Sequence, residues 1–98
     1  MKKILFVFLL LFFACKANID KNKQIEHLLS VANYTEAKEI ALTVKESERK
    51  YIYLGIIESK LQNFDKAKNY FNEVLKIDEN NFKALFNLGI IEVKQKNM

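Results

Sequence analysis

Apolar residues recur at helical spacing from residue 48 onward, in blocks that short polar segments separate. A polar break at Gln62 and Asn63 divides the first block from the second. The members of the two blocks fall mostly at i, i+3, i+4 and i+7: Tyr51, Leu54, Gly55, Glu58 and Leu61, then Phe64, Ala67, Phe71, Val74 and Leu75. This spacing predicts two helices, each with one buried face.

The first block is repeated further along the chain. The motif large-x-x-Leu-Gly-x-x-Glu occurs at residues 51–58 and again at 85–92, an offset of 34 residues. An Ala-x-x-x-aromatic motif, Ala67 to Phe71, follows the first copy. This period and these motifs resemble the tetratricopeptide repeat. The resemblance implies an all-α fold, a short α-solenoid of antiparallel helix pairs with about 2.5 repeats and roughly five helices.

The motif residues are of types that allow helices to pack closely. Gly55 lacks a β-carbon, so we expect a neighbouring helix to approach it, with Ala67 as the small residue opposite and Gly89 as its repeat equivalent. The predicted packing residues are Tyr51, Leu54, Gly55, Ala67, Phe71 and Gly89. Two residues depart from the family pattern: Glu58 replaces the usual aromatic residue and Glu79 the usual proline. The polar run 78–81 must therefore end the second helix.

A shorter unit precedes this repeat. Ile25, Leu28, Leu29 and Ala32 predict one helical face, and Ala37, Ile40, Ala41 and Val44 predict the next. Asn33 can cap the second helix, with Glu36 reaching back from the third helical position. Residues 33–37 parallel residues 63–67 at an offset of 30, so we expect the second helix of this unit to be short by about one turn. The alternative is a plain helical hairpin over residues 20–46.

The last predicted helix begins near Asn81 or Phe82 and extends towards Lys96. On one face of this helix we expect Phe82, Leu85, Phe86, Ile90 and Val93, and Leu88 and Ile91 widen the apolar surface beyond that face. No partner helix is evident in the sequence, so Leu85 and Leu88 form a candidate oligomer face. Truncation of a longer repeat array would also explain the missing helix.

The first residues have the pattern of an export signal. Lys2 and Lys3 precede the apolar run 4–14, which is shorter than the roughly 20 residues that span a bilayer. Ala14-Cys15 at its end resembles a relaxed bacterial lipobox, which implies cleavage before Cys15 and lipidation of its thiol. We expect a lipoprotein signal peptide at 1–14, a lipid-anchored tether at 15–23 and the repeat domain at 24–98, on the extracytoplasmic side of a bacterial membrane. A plain signal peptide or an uncleaved anchor are the alternatives.

Composition and candidate chemistry exclude several functions. The chain has 98 residues, two glycines, no proline, one cysteine and a net charge of +4, or +2 without Lys2 and Lys3. This weak, mixed charge does not indicate nucleic-acid binding. His27 is the single histidine and lacks the companion ligands of a metal site. Glu58 and Glu92 are better explained by repeat equivalence than by shared catalysis. We expect no enzyme activity, cofactor or metal.

The remaining expectation is protein binding. The repeat resemblance implies a concave groove, apolar with basic edges, that suits an amphipathic or extended apolar segment of a protein partner. Its lining residues would be Ile52, Ile56, Phe86 and Ile90, with Arg49, Lys60, Lys83 and Lys94 at the margins. These residues could instead simply pack on neighbouring helices. Two function classes follow: a membrane-tethered interaction module, or a structural subunit that forms a homo- or hetero-oligomer through its last helix.

Overall fold

The computed structural model describes residues 21–97, and all regular secondary structure in that part of the chain is helical. The helices are α1 (Lys21–Ser30), α2 (Tyr34–Leu42), α3 (Ser47–Lys60), α4 (Phe64–Ile77) and α5 (Phe82–Lys96). The predicted all-α helical repeat is confirmed. The predictions on residues 1–20, including the signal peptide and Cys15, lie outside the described residues. Residues 21–23, which the sequence assigned to the tether, lie in α1.

Consecutive helices pack against each other, and α3 also contacts α5. Helix α3 therefore separates two hydrophobic cores, and Tyr51 borders both. The buried residues of the first core are Ile25, Ala37, Ala41, Val44, Leu54 and Ile57. Those of the second core are Phe64, Ala67, Phe71, Val74, Ala84 and Ile91.

The first unit is shorter than the second, as predicted. Helix α2 has 9 residues and α4 has 14. The Asn33 side chain accepts a hydrogen bond from the Glu36 backbone N–H at 3.4 Å, which satisfies one free donor at the start of α2. The Glu36 carboxylate in turn accepts from the Asn33 side-chain amide at 3.0 Å. Val44 is buried, but it follows the end of α2.

Equivalent turns connect α1 to α2 and α3 to α4, one turn in each helix pair. Ala32 and Gln62 adopt left-handed backbone conformations, with φ of 58° and 63°. In each turn the next backbone N–H, of Asn33 or Asn63, donates to the carbonyl five residues earlier at 2.8 Å. This bond closes the helix C-terminus. Ala32 was expected on the buried face of the first helix, but it is an exposed turn residue because α1 has already ended.

The two motif glycines have different surroundings. A β-carbon on Gly55 would lie 2.7 Å from the ring of Phe71, so the close neighbour is this aromatic ring on α4 rather than Ala67, which is itself fully buried. A β-carbon on Gly89 would meet no side chain or neighbouring helix of residues 21–97 within 4 Å. Gly89 therefore does not repeat the packing of Gly55. Leu61, expected on the buried face of α3, is 43% exposed because α3 has ended there.

Candidate functional site

A groove of about 650 Å³ lies between α1, the first half of α3 and the start of α5. Ile52 and Ile56 lie one helical turn apart on α3 and form its apolar floor. The loop between α4 and α5 closes one side. The lining residues are Glu26, Leu29, Glu46, Glu48, Arg49, Ile52, Tyr53, Ile56, Asp78, Asn80, Asn81, Phe82 and Lys83.

Half of the predicted groove residues line it. Arg49, Ile52, Ile56 and Lys83 do, whereas Phe86, Ile90, Lys60 and Lys94 do not. The start of α5 reaches the groove, so Phe82 and Lys83 contribute while residues further along this helix do not. Lys60 is exposed at the last position of α3, beyond the residues of that helix that form the groove.

The surroundings of Ile52 and Ile56 fit both of the interpretations that the sequence left open. Both are half-buried and pack against the second core. Both also present part of their surface to the groove. The packing alternative and the groove alternative are therefore compatible at these two positions.

The rim of this groove is not mainly basic, although two of the four basic residues predicted at its margins, Arg49 and Lys83, line it. Glu26, Glu46, Glu48 and Asp78 line it, against Arg49 and Lys83. The other two predicted margin residues, Lys60 and Lys94, lie outside the groove. The rim carries more carboxylates than cations.

Sequence reasoning did not identify the groove residues that come from α1 and from the turns. Leu29 was assigned only to the packing face of the first helix, and Tyr53, which lies on α3, was also not recognised. Burial raises the pKa of the Tyr53 hydroxyl, the nearby negative charge of Glu26 raises it further, and Arg49 partly opposes both. The phenol therefore stays neutral near pH 7 and contributes an aromatic face and a hydrogen-bonding group.

Glu58 is the one buried charged side chain among the described residues, at 1% exposure. Its carboxylate forms an ion pair with Lys38 of α2 at 3.0 Å and accepts a hydrogen bond from the Asn63 side chain at 3.0 Å. Burial alone would raise the pKa of Glu58. The hydrogen bonds from Lys38 and Asn63, with the charges of Lys38 and Lys66, outweigh burial and lower this pKa. Glu58 thus joins α2, α3 and the start of α4, and it lies outside the groove.

The remaining candidates for a chemical role among residues 21–97 are few. His27 is exposed and borders a shallow pocket of about 340 Å³ between α1 and α2. Within residues 21–97, no group of His, Cys, Asp and Glu side chains is placed to hold a metal ion. None of the described helices is long and apolar enough to cross a membrane.

Comparison with known proteins identifies the repeat. Residues 49–81, which span α3, α4 and the loop after them, match the family model of the tetratricopeptide repeat. The match supports a tetratricopeptide-type protein, and repeats of this type serve as protein–protein interaction modules that are typically non-catalytic. No curated protein and no solved structure matches the chain.

Proposed function

We propose that this protein is a non-catalytic adaptor that is tethered to a membrane through Cys15 and holds a partner segment in the groove between α1, α3 and α5. The observation that carries the proposal is the half-buried pair Ile52 and Ile56 on the groove floor. An apolar floor with a polar rim suits an amphipathic helix or an extended segment with apolar side chains on one face.

A photoreactive phenylalanine analogue tests the groove in the full-length protein in its own membrane. Replacing Tyr53 or Phe82 places the crosslinker at the groove with little change of side-chain shape. The exposed residue Lys66 on α4 lies outside the groove and gives the background. We expect the same partner adduct from positions 53 and 82 and none from position 66. Equal labelling at all three positions would contradict a groove-specific partner.

The tether has a test of its own. Cys15 follows an apolar run and is the only thiol of the chain, so no disulfide can form within it. We expect Cys15→Ala to leave the signal peptide uncleaved or to release the protein from membranes. Processing and detergent partitioning that match the wild type would rule out the lipoprotein.

A second candidate function is assembly through α5. Four apolar side chains on this helix are more than 45% exposed: Phe82, Leu85, Phe86 and Val93, at 74%, 48%, 57% and 59%. With Gly89 they follow helical spacing and form one stripe, which we call the outer stripe. The rings of Phe82 and Phe86 stack at a centroid distance of 5.8 Å. Leu88 does not belong to it, because this side chain is half-buried against the second core.

Substitutions at exposed positions of α5 distinguish assembly through this helix from partner binding in the groove. Leu85→Glu and Val93→Glu place charge in the outer stripe without entering either core. If α5 mediates assembly, both variants reduce the mass measured by sedimentation and leave helix content unchanged. Leu88→Glu is a poor choice for this test, since it would also perturb the second core. Because Phe82 lines the groove and also belongs to the outer stripe, a crosslinker at Phe86 reports on the stripe alone and one at Tyr53 on the groove alone.

A further inference from the structure

The charges of the groove identify the chemical class of its occupant, provided that the groove binds a partner segment as proposed above. We infer that the occupant is a cationic amphipathic segment. Its apolar side chains would contact Ile52 and Ile56, and its Lys or Arg side chains would meet the carboxylates at the rim.

The first argument is the local charge balance. Arg49 and Glu46 pair with each other at 3.4 Å. Three carboxylates, those of Glu26, Glu48 and Asp78, then face one remaining cation, Lys83, which leaves a local charge of −2 (three negative, one positive). None of these three carboxylates forms an ion pair within residues 21–97. The whole chain carries +4, so the groove is a negative region on a basic protein.

The second argument is that two of the carboxylates are already held in place. Glu48 accepts a hydrogen bond from the Asn81 side chain, and Asp78 accepts one from the Asn80 backbone N–H at 3.1 Å. Both donors are neutral groups, so neither hydrogen bond compensates the negative charge of the carboxylate that accepts it. Because these side chains are partly ordered before binding, a cationic partner loses less entropy in pairing with them.

The third argument comes from the aromatic rings that share the groove with the carboxylates. Tyr53 is half-buried and Phe82 is 74% exposed. The face of an aromatic ring attracts an ammonium or guanidinium group, and Arg also stacks on such faces. A partner carboxylate could pair with Lys83 but would gain nothing from the ring faces and would meet a net negative rim.

The test uses three labelled synthetic peptides with the same apolar residues at i, i+3, i+4 and i+7, and with Lys, Gln or Glu at all flanking positions. Dissociation constants are measured by fluorescence anisotropy with the full-length protein in non-ionic detergent. Pairing with two or more rim carboxylates predicts that the Lys peptide binds roughly tenfold tighter than the Glu peptide at low salt. Raising the salt to about 0.15 M shortens the screening length to about 8 Å and should narrow this difference.

Two double variants of equal charge locate the effect. Glu26→Gln with Asp78→Asn removes two charges from the rim, and the asparagine keeps an acceptor for Asn80. Glu39→Gln with Glu92→Gln removes two charges from exposed positions outside the groove. Loss of one to two exposed ionic contacts predicts about three- to tenfold weaker binding of the Lys peptide to the rim variant. The matched variant should bind it like the wild type.

The remaining outcomes are distinct. Equal or tighter binding of the Glu peptide, or an equal loss in both double variants, would overturn the cationic partner while leaving the groove as a binding site. If none of the three peptides binds a protein whose circular dichroism shows intact helices, the groove function itself fails and this inference fails with it.

Discussion

Helices α3 and α5 carry the same motif 34 residues apart, yet their surroundings differ. Helix α3 packs between α2 and α4, whereas α5 packs on α4 and also contacts α3. A β-carbon on Gly55 would meet the Phe71 ring, whereas one on Gly89 would meet no side chain or neighbouring helix of residues 21–97 within 4 Å. Glu58 is buried and paired, and Glu92 is exposed. Equal sequence in a repeat therefore specifies the helix, while the neighbouring helices decide what each residue does.

The largest effect should come from the ring that distinguishes the two helices. Phe71 is fully buried against Gly55, so Phe71→Ala leaves a cavity and should cost about 3–5 kcal/mol in free energy of unfolding. Phe86→Ala is the matched control on α5, where the ring is 57% exposed, and should change stability by less than about 0.5 kcal/mol. Urea unfolding followed by circular dichroism measures both. Similar costs for the two variants would show that the outer stripe is covered.

The periodicity of the sequence was sufficient for most of the fold. Helical spacing located α3 and α4, and the Asn33 cap located the start of α2. The offset of 30 rather than 34 residues between the two units showed that α2 is shorter than α4. The buried face of α5 was not predicted, because this helix has apolar residues on two sides. Ala84 and Ile91 face the second core, while the larger Phe82 and Phe86 remain exposed. Side-chain size does not show which face meets a neighbour.

The groove was only partly predictable for a different reason. Ile52 and Ile56 follow from their position in the repeat, since that position fixes their side of α3. The acidic rim does not, because Glu26 and Asp78 come from α1 and from the turn after α4. Their approach depends on how three helices and a turn pack together. A local sequence pattern contains no information on how close Glu26 and Asp78 come to α3.

A smaller effect should distinguish Glu58 from Glu92. Glu58→Gln keeps the shape of the side chain but removes the charge that Lys38 faces. Because Lys38 is 39% exposed and water screens the pair, the cost should be about 1–3 kcal/mol. Glu92→Gln should be nearly neutral, since this side chain is exposed.

The difference between these two variants should also depend on pH. The pKa of Glu58 is lowered from its ordinary value of 4.5 in the folded protein. Its ionised form therefore stabilises the fold above that ordinary value, and the contribution disappears as the pH falls through the lowered pKa. Urea unfolding of both variants between neutral and acidic pH measures this. A stability gap that stays constant down to the lowest pH would show that the charge of Glu58 does not contribute.

The smallest and most discriminating effect concerns the two glycines, for which the same substitution should have opposite signs. Gly55→Ala places a methyl group 2.7 Å from the Phe71 ring, and the buried ring cannot move aside freely. Overpacking of about 1–3 kcal/mol then outweighs the gain of roughly 1 kcal/mol in helix propensity, so this variant should be less stable. Gly89→Ala meets open space and should be more stable by up to about 1 kcal/mol. If Gly89→Ala instead lowers the stability of the protein at high concentration but raises it in dilute solution, another helix packs closely on the outer stripe, as the assembly candidate requires.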